Sequence, residues 1–170
     1  MKKVYLIISI FVGFITVSPA QQNIKLGHIN SQELLEAMPE TDSAQKKLEK
    51  LTKDLQSQLE SMQVELNNKY QDYLSKRDTY SELIRQTKED ELQTIQQRIQ
   101  QFSQTAEQDI QKKRSELYKP ILDKANKAID EVGKENGFTY IFDLSAGVVV
   151  FHSENSTDIL PLVKEKLKLK

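Results

Sequence analysis

From Leu48 to Tyr73 the apolar residues recur in steps of three and four: Leu48, Leu51, Leu55, Leu59, Met62, Leu66, Tyr70, Tyr73. The spacing returns at Ile99, Phe102, Ala106 and Ile110, then at Leu117 and Ile121. Such stripes place apolar side chains on one narrow face of a helix. Three, four and four make an eleven-residue repeat, which does not demand left-handed supercoiling. The pattern predicts two rather straight helices packed along their length. No glycine lies between Gly27 and Gly133, and proline interrupts only at Pro39 and Pro120. Both residues break helices, so their scarcity supports the same reading. Pro120 should kink the second helix near its base.

The stripe loses regularity over residues 76–91, where the chain must reverse. Thr79 with Glu82, and Thr87 with Asp90, have the spacing of a capping box. These signals place the tip within 78–87 and the hairpin over 42–132. Each rod then has roughly 40 residues and a length of about 60 Å.

The flanks alternate differently. "NIKLGHI" (23–29) has the period of a strand. Asn30 with Glu33 fits a short capped helix over 31–38, closed by Pro39. "GKENG" (133–137) reads as a helix stop. "GFTYIFDLSAGVVVF" (137–151) reads as two strands and a turn: Phe138, Tyr140 and Phe142 alternate with Thr139 and Ile141, and 148–151 is apolar on both faces. A last helix, capped by Ser156 or Thr157, carries Ile159, Leu160, Val163 and Leu167 inward.

An α+β protein results: a long antiparallel helical hairpin on a small β body made of 21–41 and 133–170. The body is near the size at which one core rarely suffices. A segment apolar on both faces is expected to be buried on both sides. The sheets of several subunits are therefore expected to join, with Ile24, Leu26, Phe138, Tyr140, Phe142, Val148 and Val150 at the interface.

Composition changes this picture at the N-terminus. Met1, Lys2 and Lys3 precede the apolar run 4–17, and Ser18-Pro19-Ala20 supplies small residues. This is the layout of a signal peptide over 1–20, cleaved after Ala20, with a retained anchor as the alternative. The mature chain is then exported. It has no cysteine, so no disulfide holds it. Without Lys2 and Lys3 it carries 22 basic and 25 acidic residues, a net charge near −3. That balance argues against nucleic acid.

Candidate chemistry is sparse. A phosphate-binding loop needs a glycine-rich turn between strand and helix. "GKENG" follows a helix and precedes a strand, the reverse order. His28 and His152 are the only histidines. They can approach across adjacent strands but lack further spaced metal ligands. Acids in "KEDE" (88–91) suit a helix start. No catalytic residue, cofactor site or metal site is assigned.

"KLGHINSQELLEAMPE" (25–40), "ENGFTYIFDLSAGVVVF" (135–151) and "TDILPLVKEKL" (157–167), around a charged and glutamine-rich hairpin, resemble the Skp/OmpH family of periplasmic chaperones. The resemblance implies a homotrimer with helical tentacles around a cavity, holding unfolded outer-membrane proteins in the periplasm without ATP. Tyr70, Tyr73, Tyr80 and Phe102 fall on or near the stripes, so most of them are expected to pack between the helices; cargo contact is assigned to the exposed members among these four and to Leu83 and Ile84. A lipopolysaccharide contact proposed in the family would fall on Lys112 and Lys113, with Arg114 adjacent. The best-known members are strongly basic and this chain is slightly acidic, which weakens a role for charge. A coiled-coil spacer or scaffold of the cell envelope is the competing reading. An enzyme has almost no support.

Overall fold

The computed structural model describes residues 24–169; the expected signal peptide lies outside them. The chain opens with strand β1 (Leu26–Ile29) and helix α1 (Ser31–Ala37). Asn30 caps α1, its side-chain oxygen accepting from the Glu33 N–H at 3.2 Å. Met38 leaves the helix in extended conformation, and Pro39 at once begins helix α2 (Pro39–Lys76). Proline suits this position because the first helical N–H has no partner within the helix. The ascending rod thus starts slightly earlier than its stripe indicates.

A 3-10 turn (Arg77–Thr79) reverses the chain into helix α3 (Glu82–Glu135). The cap is Ser81, whose hydroxyl accepts from the Ile84 N–H. Neither predicted capping box is used: Thr79 and Thr87 donate to the carbonyls of Lys76 and Leu83 instead. The rods are unequal, with 38 and 54 residues. At 1.5 Å per residue α3 is about 81 Å long, against about 57 Å for α2. The excess lies at the base of α3, where Ala125, Ala128 and Val132 enter the core of the body. The helix runs on through Pro120.

Along the rods the stripe turns inward. Leu48 and Tyr73 are buried, as is Ile95 beyond the named stripe, while most other stripe positions are half-buried, as expected when two helices have only each other to pack on. Polar bonds fix the antiparallel register. Lys124 reaches Glu40, the Tyr118 hydroxyl donates to Gln45 at 3.1 Å, Lys69 reaches Glu91, and the Tyr73 hydroxyl donates to Glu89.

Asn136 caps the C-terminus of α3. Gly137 follows with φ +68°, a left-handed conformation that glycine adopts without strain. Strand β2 (Tyr140–Asp143), strand β3 (Thr157–Asp158) and helix α4 (Leu160–Lys166) complete the chain. The sheet has the order β2-β1-β3, and both outer strands run parallel to β1.

The expected hairpin over 137–151 does not form. Residues 148–151 are not a strand in this chain, and the third strand is Thr157–Asp158. The cause is topological. Two strands parallel to the same neighbour cannot be joined by a tight turn, because the chain must first travel back along the sheet. Residues 144–156 make that return. The expected Ser156 or Thr157 cap is also replaced: Asp158 accepts from the Leu160 N–H at 2.9 Å.

The core lies on one side of the sheet. Ile29, Leu34, Met38, Ile159 and Val163 are almost completely buried against the base of α3. Each such side chain contributes about 1.5–3 kcal/mol on removal from water. Salt bridges from Lys164 to Glu33 and from Lys166 to Glu131 and Glu135 tie α4 to α1 and α3.

Candidate interaction surfaces

The sheet's second face has no helix over it. Successive strand residues point to opposite faces, and pairing places Leu26 beside Tyr140 and His28 beside Phe142 on this side. Ile29 and Ile141 point into the core. Tyr140 is 61% exposed and its ring lies 6.3 Å from that of Phe142. Ile24, Leu26 and Phe142 are also exposed. The 144–156 link crosses this face, enclosing a groove of about 810 Å³ lined by Leu26, His28, Phe142 and residues 148–153, among others. Val148 and Val150 are 77% and 98% exposed.

Of the seven predicted interface residues, six therefore share this exposed surface. Phe138 does not. The strand begins only at Tyr140, so the alternation does not extend back to 138. The Phe138 ring packs on Gly27 and Ile159 on the core side, with the Lys25 ammonium 4.2 Å from its centroid.

The predicted rod residues also divide. Tyr70 and Ile84 are exposed, and Leu83 is 74% exposed near the tip. Tyr80 and Phe102 are half-buried. Tyr73 is 7% exposed and seals the seam: its ring lies 6.5 Å from Tyr80 and its hydroxyl donates to Glu89. That bond holds the phenol above its ordinary value. Nearby, Lys69 first and Lys88 second hold the Glu91 carboxyl below the usual range. Lys112, Lys113 and Arg114 are exposed; Lys113 pairs with Glu116 at 3.2 Å, and Arg114 borders a shallow groove with Leu48, Tyr118 and Leu122.

Other surface features escaped sequence reasoning. Val64, Leu74 and Leu122 are exposed apolar side chains on the rods, and Phe151 on the link. Each rod residue stands off the inward stripe, and that offset was the available signal. Asp143 forms a polar joint between β2 and α1, with no regular spacing to announce it. It accepts from the Ser31 N–H at 3.1 Å, the Ser31 hydroxyl at 2.5 Å and the Ser145 N–H at 3.0 Å. Burial pushes its carboxyl upward, but these bonds outweigh burial and hold it below its ordinary value. Among the described residues no group of three or more side chains is arranged to hold a metal ion.

These features define a two-helix rod mounted on a small α+β body with one uncovered apolar sheet face. The chain belongs to the family described as outer membrane protein (OmpH-like), whose family model matches residues 25–167. The family is not one of enzymes. The fold is similar to the crystal structure of a proposed outer membrane chaperone (OmpH-like) from Caulobacter crescentus CB15. The TM-score is 0.72 at 15% identity, over 84% of this chain and 82% of that one. No curated protein sequence matches the chain.

Proposed function

We propose that this protein is an ATP-independent holdase of the periplasm, which keeps unfolded outer-membrane proteins from aggregating. The observation that carries the reading is how the rods dispose of their apolar residues. Most of the stripe is consumed between the two helices. Tyr70, Leu74, Leu83 and Ile84 remain exposed as small separate contacts on the distal part of the rod. Scattered contacts of this kind bind weakly one by one, and several rods around one client raise their effective concentration. The family and the Caulobacter fold support a role in outer-membrane protein handling.

Several rods require several copies, and the uncovered sheet face is the surface we assign to self-association. An apolar parallel sheet is stable when both faces are covered, and a homotrimer is the assembly the family resemblance implies. Export with cleavage after Ala20 belongs to the same reading. Lys112, Lys113 and Arg114 are the cations available to an anionic lipid headgroup. The exposed Leu83 and Ile84 at the tip also fit a docking point, which is what a structural spacer would need.

The test uses the mature protein. Light scattering gives its mass, and dilution of a urea-unfolded outer-membrane barrel into buffer without ATP gives its activity. The expected result is a trimer that keeps the barrel soluble at stoichiometric amounts. A monomer that leaves aggregation unchanged overturns the reading, and a trimer without activity favours the spacer.

A further inference from the structure

Asparagine is among the chemically labile residues, and the residue that follows it governs how labile it is. Of the asparagines in this chain, only Asn136 precedes a glycine. The pair forms the joint between the long helix α3 and strand β2. Both residues are exposed, and nothing lies within 4 Å of the position that a Gly137 Cβ would take. Glycine has no Cβ of its own, so the Gly137 nitrogen is open to attack the neighbouring side chain.

We propose that Asn136–Gly137 is a self-modification site, at which the asparagine loses its amide and becomes isoaspartate or aspartate. The only co-reactant is water. The Gly137 backbone nitrogen loses its proton to solvent base and attacks Asn136 Cγ. An N–Cγ bond forms, the Cγ–Nδ2 bond breaks, and Nδ2 takes a solvent proton and leaves as ammonia. The cyclic imide then adds water. Opening at Cγ gives aspartate. Opening at the backbone carbonyl carbon gives isoaspartate, with the main chain running through the side chain.

The folded joint restrains this reaction. Asn136 has φ −99° and ψ 2°. With ψ near zero the Gly137 nitrogen eclipses the Asn136 nitrogen and lies away from the side chain, so attack requires the peptide to rotate. Four bonds oppose that rotation. The Asn136 N–H and Nδ2 both donate to the Val132 carbonyl, at 3.1 Å and 2.9 Å, and the Gly137 N–H donates to Lys134 at 3.3 Å. The fourth comes from outside the helix: the Lys25 ammonium donates to the Asn136 carbonyl at 2.8 Å and clasps the joint. Helix ends open locally at little cost, and conversion proceeds through that opening.

The product cannot rebuild the joint. A carboxylate has no N–H to donate to the Val132 carbonyl. Its charge also opposes the negative end of a 54-residue helix. Isoaspartate further lengthens the main chain by one carbon just ahead of Phe138, whose N–H donates to the Gly133 carbonyl and whose ring packs on Gly27.

Peptide mapping by mass spectrometry, on mature protein incubated at mildly alkaline pH, follows the conversion over time. Asn136 is expected to convert before every other asparagine, with isoaspartate among its products. Lys25→Met keeps an unbranched stem over the Phe138 ring and removes the bond to Asn136. It should convert roughly two- to fivefold faster, the effect of losing one solvent-exposed hydrogen bond, with the helical circular dichroism unchanged. In urea, where no cap exists, variant and wild type should convert at one rate. A wild type in which Asn136 converts no faster than the other asparagines overturns the proposal. A folded Lys25→Met protein that keeps the wild-type rate removes the clasp, as does a difference that persists in urea. These readouts are chemical, so they stand or fall apart from the chaperone reading.

Discussion

Gly27 carries a constraint that its neighbours in β1 do not. A Cβ built there would lie 2.9 Å and 3.0 Å from two Phe138 ring carbons and 3.1 Å from Ile159 Cγ2. Both partners belong to the packed side of the sheet, so neither can withdraw freely. Gly27→Ala should destabilise the protein by about 1–3 kcal/mol, the usual range for overpacking, seen as a lower urea midpoint. Asp143 tests a different force. Its folded carboxyl sits below the ordinary 3.8, so the stability it contributes is fully present above that value and is lost as pH falls through the folded one. Asp143→Asn keeps the shape but loses charge-assisted bonds, and should cost about 1 kcal/mol at pH 7. Unfolding curves of variant and wild type should converge as pH falls below 3.8. A constant difference down to strong acid would show that the carboxylate charge is not what joins β2 to α1.

At the scale of elements, the α3 start separates two sequence signals of equal appearance. Thr79 has a glutamate three residues on, but Ser81 is the residue whose side chain accepts from a free helix N–H. Ser81→Ala should cost about 1 kcal/mol, and its loss should appear as faster hydrogen exchange in the first turns of α3. Thr79→Ala should leave those amides unchanged. The rods themselves were legible because period and packing agree: Leu48 and Tyr73 are buried where the stripe predicts a seam, and the seam extends to Ile95, which the stripe did not include. The sheet was legible only in part. Tyr140, Ile141 and Phe142 alternate as a strand must, and they do form β2. Residues 148–151 carry strong strand propensity, yet a strand also needs hydrogen-bonding partners, and within one chain the parallel topology turns this segment into the return link. Thr157–Asp158 is too short to leave any periodic mark. The His28–His152 contact was readable as proximity. Its stacked form, with ring centroids 4.5 Å apart, was not, because it depends on a link that sequence reasoning took for a strand.

At the scale of the whole molecule, the two faces of one small sheet have different tasks, and two aromatic residues close in sequence separate them. Phe138 packs on Gly27 and Ile159 within the protomer's own core. Tyr140 lies on the open face and is 61% exposed. If the open face joins copies of the chain, Tyr140→Asp places a charge where an apolar contact forms and leaves the protomer's own packing untouched. Its mass by light scattering at micromolar concentration should drop toward the monomer while the helical circular dichroism is retained. Phe138→Asp should instead lower the thermal midpoint of the protomer itself, because it replaces a ring packed against the core with a short charged side chain. The contrast is what makes the pair informative. A general loss of hydrophobicity would affect both variants alike, whereas a sheet with one folded face and one assembling face requires them to differ. An unchanged mass for Tyr140→Asp, with Phe138→Asp still unfolding, would leave the core assignment intact and remove the open face as the place where rods are brought together.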